Sequence, residues 1–212
     1  MSLPDPRSLA RLSRPAAVLL DMDGTITKPR LDYAAIRADL DVPDEEPIWE
    51  AIQSRDAEGK RRALERLYVH ESRAAEEAEL AEGAAEVIEW LAAEGIGVAV
   101  ITRNSRASAA TVFAKHALPE LPIFTREDAP PKPDPTVVHR ACAALGTTAD
   151  RAWMVGDGQF DVGVAHNAGA TCIWIALERG DCPHAPAPHA CIDGISELRN
   201  LIGACDTDAG GE

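Results

Sequence analysis

The segment AAVLLDMDGTITKP, from Ala16 to Pro29, is an apolar run that leads directly into two aspartates. The run AAVLL (16–20) is short and aliphatic, which predicts a buried strand. Asp21 and Asp23 follow it, and residues two apart in an extended segment point to the same side, roughly 7 Å from each other. Both carboxylates therefore face one small volume, where a group of phosphoryl size could lie between them.

Beyond this segment, short aliphatic runs alternate with longer amphipathic stretches, which is the pattern of βα units around a parallel sheet. Strands are predicted at 16–20, 97–102, 122–125, 152–156 and 171–176. Helices are predicted at 84–94, 105–116, 136–145, 159–168 and 195–202.

One long interval, between the first strand and the helix at 84, contains no convincing strand. It is rich in Ala, Glu and Arg, and Pro29 and Gly83 lie near its two ends. Helices are predicted within it at about 31–40, 46–55 and 58–80. The sequence thus predicts a helical cap domain at 29–82, inserted into an α/β core domain made of 1–28 and 83–212.

Composition limits the classes of function. The 212 residues carry a formal net charge of -14, which disfavours binding to nucleic acid or to an anionic membrane surface. The apolar run that ends at Asp21 is too short for a membrane span, and the five cysteines have no regular spacing. We therefore expect a cytoplasmic protein with reduced thiols.

Further polar residues follow the later strands, where parallel α/β sheets place their ligands. Each alone is compatible with a turn or a helix cap, but together they lie in a regular order with βα units between them. They are Thr102, Arg103 and Asn104 after the second strand, Lys132 in the proline-rich APPKPDP, and Asp157 and Asp161 in VGDGQFD.

This set of motifs resembles that of the haloacid dehalogenase superfamily of phosphotransferases. The matching segments are DMDGT at 21–25, VITRN around Thr102, PPKPDP around Lys132 and GDGQFD at 156–161. The resemblance implies a Rossmann-like, three-layer α/β/α core with a parallel sheet in the order 3-2-1-4-5, and a small helical cap inserted after the first strand.

The resemblance also implies a division of roles. Asp21 would be the nucleophile that forms an aspartyl-phosphate, and Asp23 the general acid and base. Thr102 would bind a phosphoryl oxygen, and Lys132 would neutralise charge on the phosphoryl group and on Asp21. The remaining substrate-binding candidates are Gly24, Thr25, Arg103 and Asn104.

A magnesium ion is the implied cofactor. Its ligands would come from Asp21, Asp23 through its backbone carbonyl, Asp157 and Asp161, because Mg2+ is usually held by few carboxylates together with water and phosphate oxygens. The implied substrate is a small phosphorylated metabolite, such as phosphoglycolate or a sugar phosphate. Because the predicted cap is short, the site could depend on a second copy of the chain, so a homodimer is an open alternative.

Rival functions within the superfamily depend on single features. A haloacid dehalogenase would lack the acid two residues after the nucleophile, so Asp23 favours phosphate chemistry. A phosphomutase needs a cap that binds a second phosphate, for which cations at 55 and 60–62 are available. However, Glu58 with Arg62, and Arg61 with Glu65, have the spacing of ion pairs on a solvated helix. A catalytically silent binding module also remains open.

The segment CPHAPAPHAC (182–191) raises a separate question, since it contains two thiols and two imidazoles. Cys182, His184, His189 and Cys191 could form a zinc site, although their spacing fits no standard pattern. A stiff, proline-rich surface loop is the alternative.

Overall fold

The computed structural model describes residues 12–177, 180, 182 and 185–207. Within them, six strands form one sheet in which every neighbouring pair is parallel. The strands are Ala17–Leu20 (β1), Gly97–Ile101 (β2), Ile123–Phe124 (β3), Ala152–Gly156 (β4), Thr171–Ile175 (β5) and Ala190–Ile192 (β6).

The strand order is β3-β2-β1-β4-β5-β6, with β1 at the centre between β2 and β4. The predicted order 3-2-1-4-5 is confirmed, and the structure adds β6 at the edge. The sequence prediction placed Cys191 in a loop, but it lies in β6 and pairs in register with Trp174 of β5. Three residues that follow a proline-rich segment give too little pattern to predict a strand.

Helices cover both faces of the sheet, which gives the predicted three layers. Within the described residues the helices are Tyr33–Leu40 (α1), Ile48–Gln53 (α2), Ala57–Glu77 (α3), Ala84–Ala93 (α4), Arg106–Lys115 (α5), Thr136–Ala144 (α6), Gln159–Ala168 (α7) and Leu198–Thr207 (α8). Residues of α4, α5 and α8 join the apolar cluster on one face of the sheet, and residues of α6 and α7 join the cluster on the other. Alternate residues of β1 contribute to opposite faces, Val18 and Leu20 to the first, Ala17 and Leu19 to the second.

Helices α1–α3, which we call the helical insert, pack around an apolar cluster of their own that includes Ile36, Leu40 and Ile52. The carboxylates of Asp32 and Asp56 accept hydrogen bonds from backbone amides in the first turns of α1 and α3, so both helices begin at an acidic N-cap. The long helix α3 also packs against α5, which connects the insert to the sheet.

Backbone hydrogen bonds between neighbouring strands continue one residue beyond the ends of β1 and β2, and this positions two candidate functional residues. The amide of Asp21 donates to the carbonyl of Val155 over 2.9 Å, and the amide of Thr102 donates to the carbonyl of Phe124 over 2.9 Å. Both side chains are thus fixed at the carboxyl edge of the sheet, where ligands bind in parallel α/β folds.

Among the residues that the structure describes, no helix is long and apolar enough to cross a membrane.

We predict that the helical insert contributes measurably to folding. Ile52 is fully buried in its cluster, so Ile52→Ala should lower the free energy of unfolding by about 2–5 kcal/mol in urea denaturation. Val69, on α3, is 66% exposed, so Val69→Ala should change it by less than about 0.5 kcal/mol. Equal effects of the two variants would show that the insert cluster adds nothing to stability.

Candidate active site

Three carboxylates converge at the carboxyl edge of the sheet. Asp21 follows β1, Asp157 follows β4, and Asp161 lies in the first turn of α7. One carboxylate oxygen from each residue lies within 4.8 Å of those from the other two, and the three residues are the one cluster of potential metal ligands found among the described residues. The sequence analysis grouped these three residues, and the fold brings them together.

A buried lysine bridges two of these acids. The Nζ atom of Lys132 lies 2.5 Å from Oδ1 of Asp21 and 2.6 Å from Oδ1 of Asp161, and its side chain is 3% exposed. Burial alone would lower the pKa of Lys132, but the carboxylates of Asp161 and Asp21 outweigh it and raise the pKa. Lys132 is therefore charged, and it holds both carboxylates in place.

The cluster suits a divalent cation. Burial, and then the charge of Asp161, raise the pKa of Asp21, whereas Lys132 opposes them. Three carboxylates against one ammonium leave a formal excess of two negative charges in a buried site. Mg2+ carries the matching charge and prefers carboxylate oxygens, so the residues present fit this ion.

Two glycines make room for the acids. A Cβ atom on Gly156 would lie 2.2 Å from Cγ of Asp161, and one on Gly24 would lie 2.4 Å from Oδ2 of Asp157. Gly24 also has φ +82°, which favours glycine. Any larger residue at either position would displace a carboxylate of the cluster.

The carboxylate of Asp23 is not part of this cluster and lines a cavity. Its Oδ2 atom accepts a hydrogen bond of 2.6 Å from the side-chain amide of Asn104. The prediction of Asp23 as a ligand through its backbone carbonyl stays untested, and its carboxylate is not part of the three-residue cluster.

The carboxyl of Asp23 can hold a proton near neutral pH. Solvent reaches part of the side chain from the cavity, but protein atoms surround the rest. Burial raises the pKa of Asp23 to about 7, although the charge of Lys132 opposes it. The negative charge of Glu71 acts in the same direction as burial. A group with this pKa can both donate and accept a proton at pH 7.

The residues after β2 take distinct positions. Thr102 is buried, and its Oγ1 accepts from the amide of Asn104 over 3.0 Å, so its own hydroxyl proton is directed elsewhere. Arg103 was predicted to bind substrate. Its guanidinium donates to the carboxylate of Glu50 and to the carbonyl of Lys132, and it lies 3.9 Å above the ring of Phe160.

The other predicted substrate-binding residues, Gly24 and Thr25, line a separate cavity, which Ser196 also lines. The Thr25 hydroxyl is buried and has no hydrogen-bond partner among the described residues. Their role in substrate binding stays a prediction from the motif.

A cavity of about 320 Å³ lies between the helical insert and the carboxyl edge of the sheet, and we call it the insert cavity. Asp23 and Asn104 line it from the sheet side, and Trp49 of α2 and Glu71 of α3 line it from the insert. The carboxylate of Asp23 therefore borders a space large enough for a small molecule.

The sequence analysis missed a buried ion pair in the wall of the insert cavity. Arg126 follows β3 and binds both carboxylate oxygens of Glu71, with side chains 7% and 4% exposed. Arg126 also donates to the carbonyl of Arg103. No motif marks Glu71, which in the sequence is one of several acids on a charged helix. Only its burial in the structure distinguishes it as the partner of Arg126.

The cations at 55 and 60–62, which a phosphomutase could use to bind a second phosphate, contact other residues of the helical insert. Arg61 and Arg62 pair with Glu58, and Arg61 also pairs with Glu65, as the spacing predicts. Arg55 and Lys60 donate to α1 and α2. None of these cations lines the insert cavity.

The structure gives no support to the zinc site. His184 lies outside the described residues, and Cys182, His189 and Cys191 do not form a metal-binding cluster within the described part of the chain. The Nδ1 atom of His189 accepts a hydrogen bond from the amide of Cys172, so this lone pair is already used.

The geometry agrees with the family assignment. The family model of haloacid dehalogenase-like hydrolases matches residues 15–169. The chain belongs to this family. It is 26% identical to a haloacid dehalogenase-like hydrolase domain-containing protein of Arabidopsis thaliana, over 90% of this chain and 84% of that one. It is 29% identical to an uncharacterized hydrolase of Saccharomyces cerevisiae, over 92% and 94%.

Solved structures share the fold at low sequence identity. A hydrolase from Pseudomonas syringae superposes with a TM-score of 0.71 at 20% identity, over 87% of this chain and 96% of that one. A "predicted phosphoglycolate phosphatase" from Haemophilus somnus gives 0.66 at 18%, over 90% and 99%. A putative β-phosphoglucomutase from Thermotoga maritima gives 0.64 at 18%, over 88% and 98%.

We predict that Gly156→Ala weakens metal binding by displacing Asp161. The Mg2+ concentration that half-saturates the rise in melting temperature should increase roughly 10–100-fold. Gly203→Ala is the matched control, because nothing lies within 4 Å of a Cβ atom there. An unchanged Mg2+ response in Gly156→Ala would contradict the proposed metal site.

We also predict that removing the Lys132 charge destabilises the protein. Lys132→Met leaves the buried carboxylates without their cation, so in metal-free buffer it should lower the free energy of unfolding by about 3–5 kcal/mol. Lys28, whose pair with Glu79 is exposed, provides the control Lys28→Met, with little or no expected change. Equal losses in chemical denaturation would contradict a special role for Lys132.

Proposed function

We propose that the protein is a Mg2+-dependent phosphatase that hydrolyses small phosphate monoesters through an aspartyl-phosphate intermediate. The observation that carries this proposal is the placement of Asp23. Its carboxyl, with a pKa of about 7, faces the insert cavity two residues after Asp21, whose carboxylate is held by Lys132. A nucleophile and a proton donor thus lie side by side at one sheet edge.

In the first transfer, a carboxylate oxygen of Asp21 attacks the phosphorus, and the bond from phosphorus to the leaving-group oxygen breaks. The carboxyl of Asp23 gives its proton to that oxygen, which departs as an alcohol into the insert cavity. The hydroxyl of Thr102 donates to a phosphoryl oxygen. Lys132 keeps the attacking carboxylate oriented.

In the second transfer, water attacks the same phosphorus, and the carboxylate of Asp23 accepts its proton. The bond between phosphorus and Asp21 breaks, which releases inorganic phosphate and restores the free carboxylate. Asn104, through its bond to Asp23, keeps that side chain facing the reacting centre in both steps. One residue therefore serves as acid and then as base.

Mg2+ would be held by Asp21, Asp157 and Asp161, with the backbone carbonyl of Asp23 as the further ligand predicted from the motif. When bound, it supplies positive charge to the phosphoryl oxygens. Residues 29–82 would act as the cap domain that excludes water during the first transfer. Phosphoglycolate and small sugar phosphates, a cytoplasmic location and a homodimer stay predictions from the sequence.

We predict a distinctive dependence of Asp23→Asn on the leaving group. With benzyl phosphate, kcat should fall about 10²–10⁴-fold, because an alkoxide needs a proton to leave. With p-nitrophenyl phosphate, whose leaving group is stable as an anion, the first transfer should slow much less, so a rapid burst of p-nitrophenolate should precede slow release of phosphate.

Asp21→Asn should abolish release from both esters, because the nucleophile is lost. The matched control is Asp41→Asn, at an exposed position with φ 52° that asparagine tolerates. If Asp23→Asn released p-nitrophenolate in its first turnover no faster than it released benzyl alcohol, Asp23 would not be the proton donor.

A further inference from the structure

We infer that the substrate of this site carries an uncharged, largely apolar leaving group, of which a single aromatic ring is the best-matched form. This inference rests on the proposed phosphatase function and narrows its substrate class. It ranks phosphate esters of aromatic alcohols above both phosphoglycolate and sugar phosphates.

The insert cavity must receive the leaving group. Asp23 can protonate the leaving oxygen only if that oxygen lies within hydrogen-bond distance of its carboxyl, and this carboxyl lines the insert cavity. Asp21 and Lys132 do not line it, so the phosphoryl group lies deeper, at the sheet edge. What is attached to the phosphate therefore extends into the insert cavity.

The wall of the insert cavity is mainly apolar. From the insert come the aromatic rings of Tyr33 and Trp49, together with Ile36 and Leu67, and from the core comes the ring of Phe160. Three aromatic rings around one small volume suit a flat apolar group, which they contact by edge or face. Among the polar lining residues, Asn104, Arg103 and Arg126 already bond to other protein groups, so the hydroxyl groups of a sugar would have to share or break those bonds.

The charge of the insert cavity disfavours an anionic leaving group. The described lining residues include four acids, Asp23, Asp44, Glu45 and Glu71, against three arginines, Arg37, Arg103 and Arg126. With Asp23 protonated, as the first transfer requires, three acids face three arginines, so the formal charge of the wall is zero and it offers no surplus cation. A carboxylate such as that of phosphoglycolate, or a second phosphate, would be placed among acids without a surplus of cations.

The arginines are also already engaged. Arg126 is neutralised by Glu71 and Arg103 by Glu50, and each of these acids comes from the helical insert. Arg37 donates to the carbonyls of Pro43 and Glu46. An anionic substrate would have to break one of these contacts, whereas a neutral ring leaves them intact.

The volume sets the size of the group. Ligand pockets commonly measure roughly 300–1,000 Å³, and the insert cavity, at about 320 Å³, is near the lower limit. One ring with a short linker to the phosphate fits within this volume.

The first test compares three esters with purified protein and Mg2+: benzyl phosphate, glucose 6-phosphate and phosphoglycolate. We expect kcat/KM for benzyl phosphate to exceed that for each of the other two by at least about tenfold. A preference for phosphoglycolate or glucose 6-phosphate would overturn this inference and leave the phosphatase proposal standing. No turnover of any ester would overturn the phosphatase proposal, and this inference with it.

A pair of variants tests the aromatic wall. Trp49→Ala should raise KM for benzyl phosphate about tenfold and leave KM for phosphoglycolate within about twofold, because only the ring loses contacts. Tyr68→Ala on α3 is the control, since its ring is exposed and does not line the insert cavity. Equal shifts for both esters in Trp49→Ala would overturn a specific role for the aromatic wall.

A second pair tests the charge argument in the opposite direction. Glu50→Gln removes the carboxylate that neutralises Arg103, so the ratio of kcat/KM for phosphoglycolate to that for benzyl phosphate should rise at least about fivefold. Glu46→Gln is the control, because Glu46 contacts Arg37 through its backbone carbonyl. An unchanged ratio in Glu50→Gln would overturn the claim that paired arginines exclude anionic leaving groups.

Discussion

The buried contact of Lys132 with Asp21 and Asp161 is the interaction on which the site depends. The three residues come from a loop after β3, the end of β1 and the start of α7, so the contact forms only when the strands pack in this order. Burying three ionised groups is costly unless each meets an opposite charge at short range. The ion pairs therefore fix the carboxylates in one arrangement, and a divalent cation would complete the charge balance.

The space around Asp157 and Asp161 also restricts where their carboxylates can lie. Gly24 and Gly156 leave the space that the carboxylates of Asp157 and Asp161 occupy, and the indole N–H of Trp174 donates to the backbone carbonyl of Asp157 over 3.0 Å. Attraction to Lys132 and the space left by the two glycines thus together define the positions of the acids. This arrangement explains why glycine lies beside an aspartate at both Gly24 and Gly156 in this chain.

Much of the fold and of the catalytic end of the site could be predicted from the sequence, because both depend on local patterns. Aliphatic runs ending in polar residues located Asp21, Thr102 and Asp157 at one sheet edge, and the resemblance supplied the strand order. The pairs Glu50–Arg103 and Glu71–Arg126 could not be predicted, because each joins the insert to the core across more than fifty residues. Charged residues on helices are usually solvated, so pattern alone does not distinguish the few that are buried.

The most direct test of the account is to find the phosphate on Asp21. Asp23→Asn protein would be mixed with p-nitrophenyl phosphate and Mg2+, quenched in acid, reduced with borohydride and digested for mass spectrometry. The account predicts that Asp21 is reduced to homoserine, as an acyl phosphate would be, and that this change is absent when the ester is left out. Release of phosphate with Asp21 unmodified, or modification at another carboxylate, would contradict it.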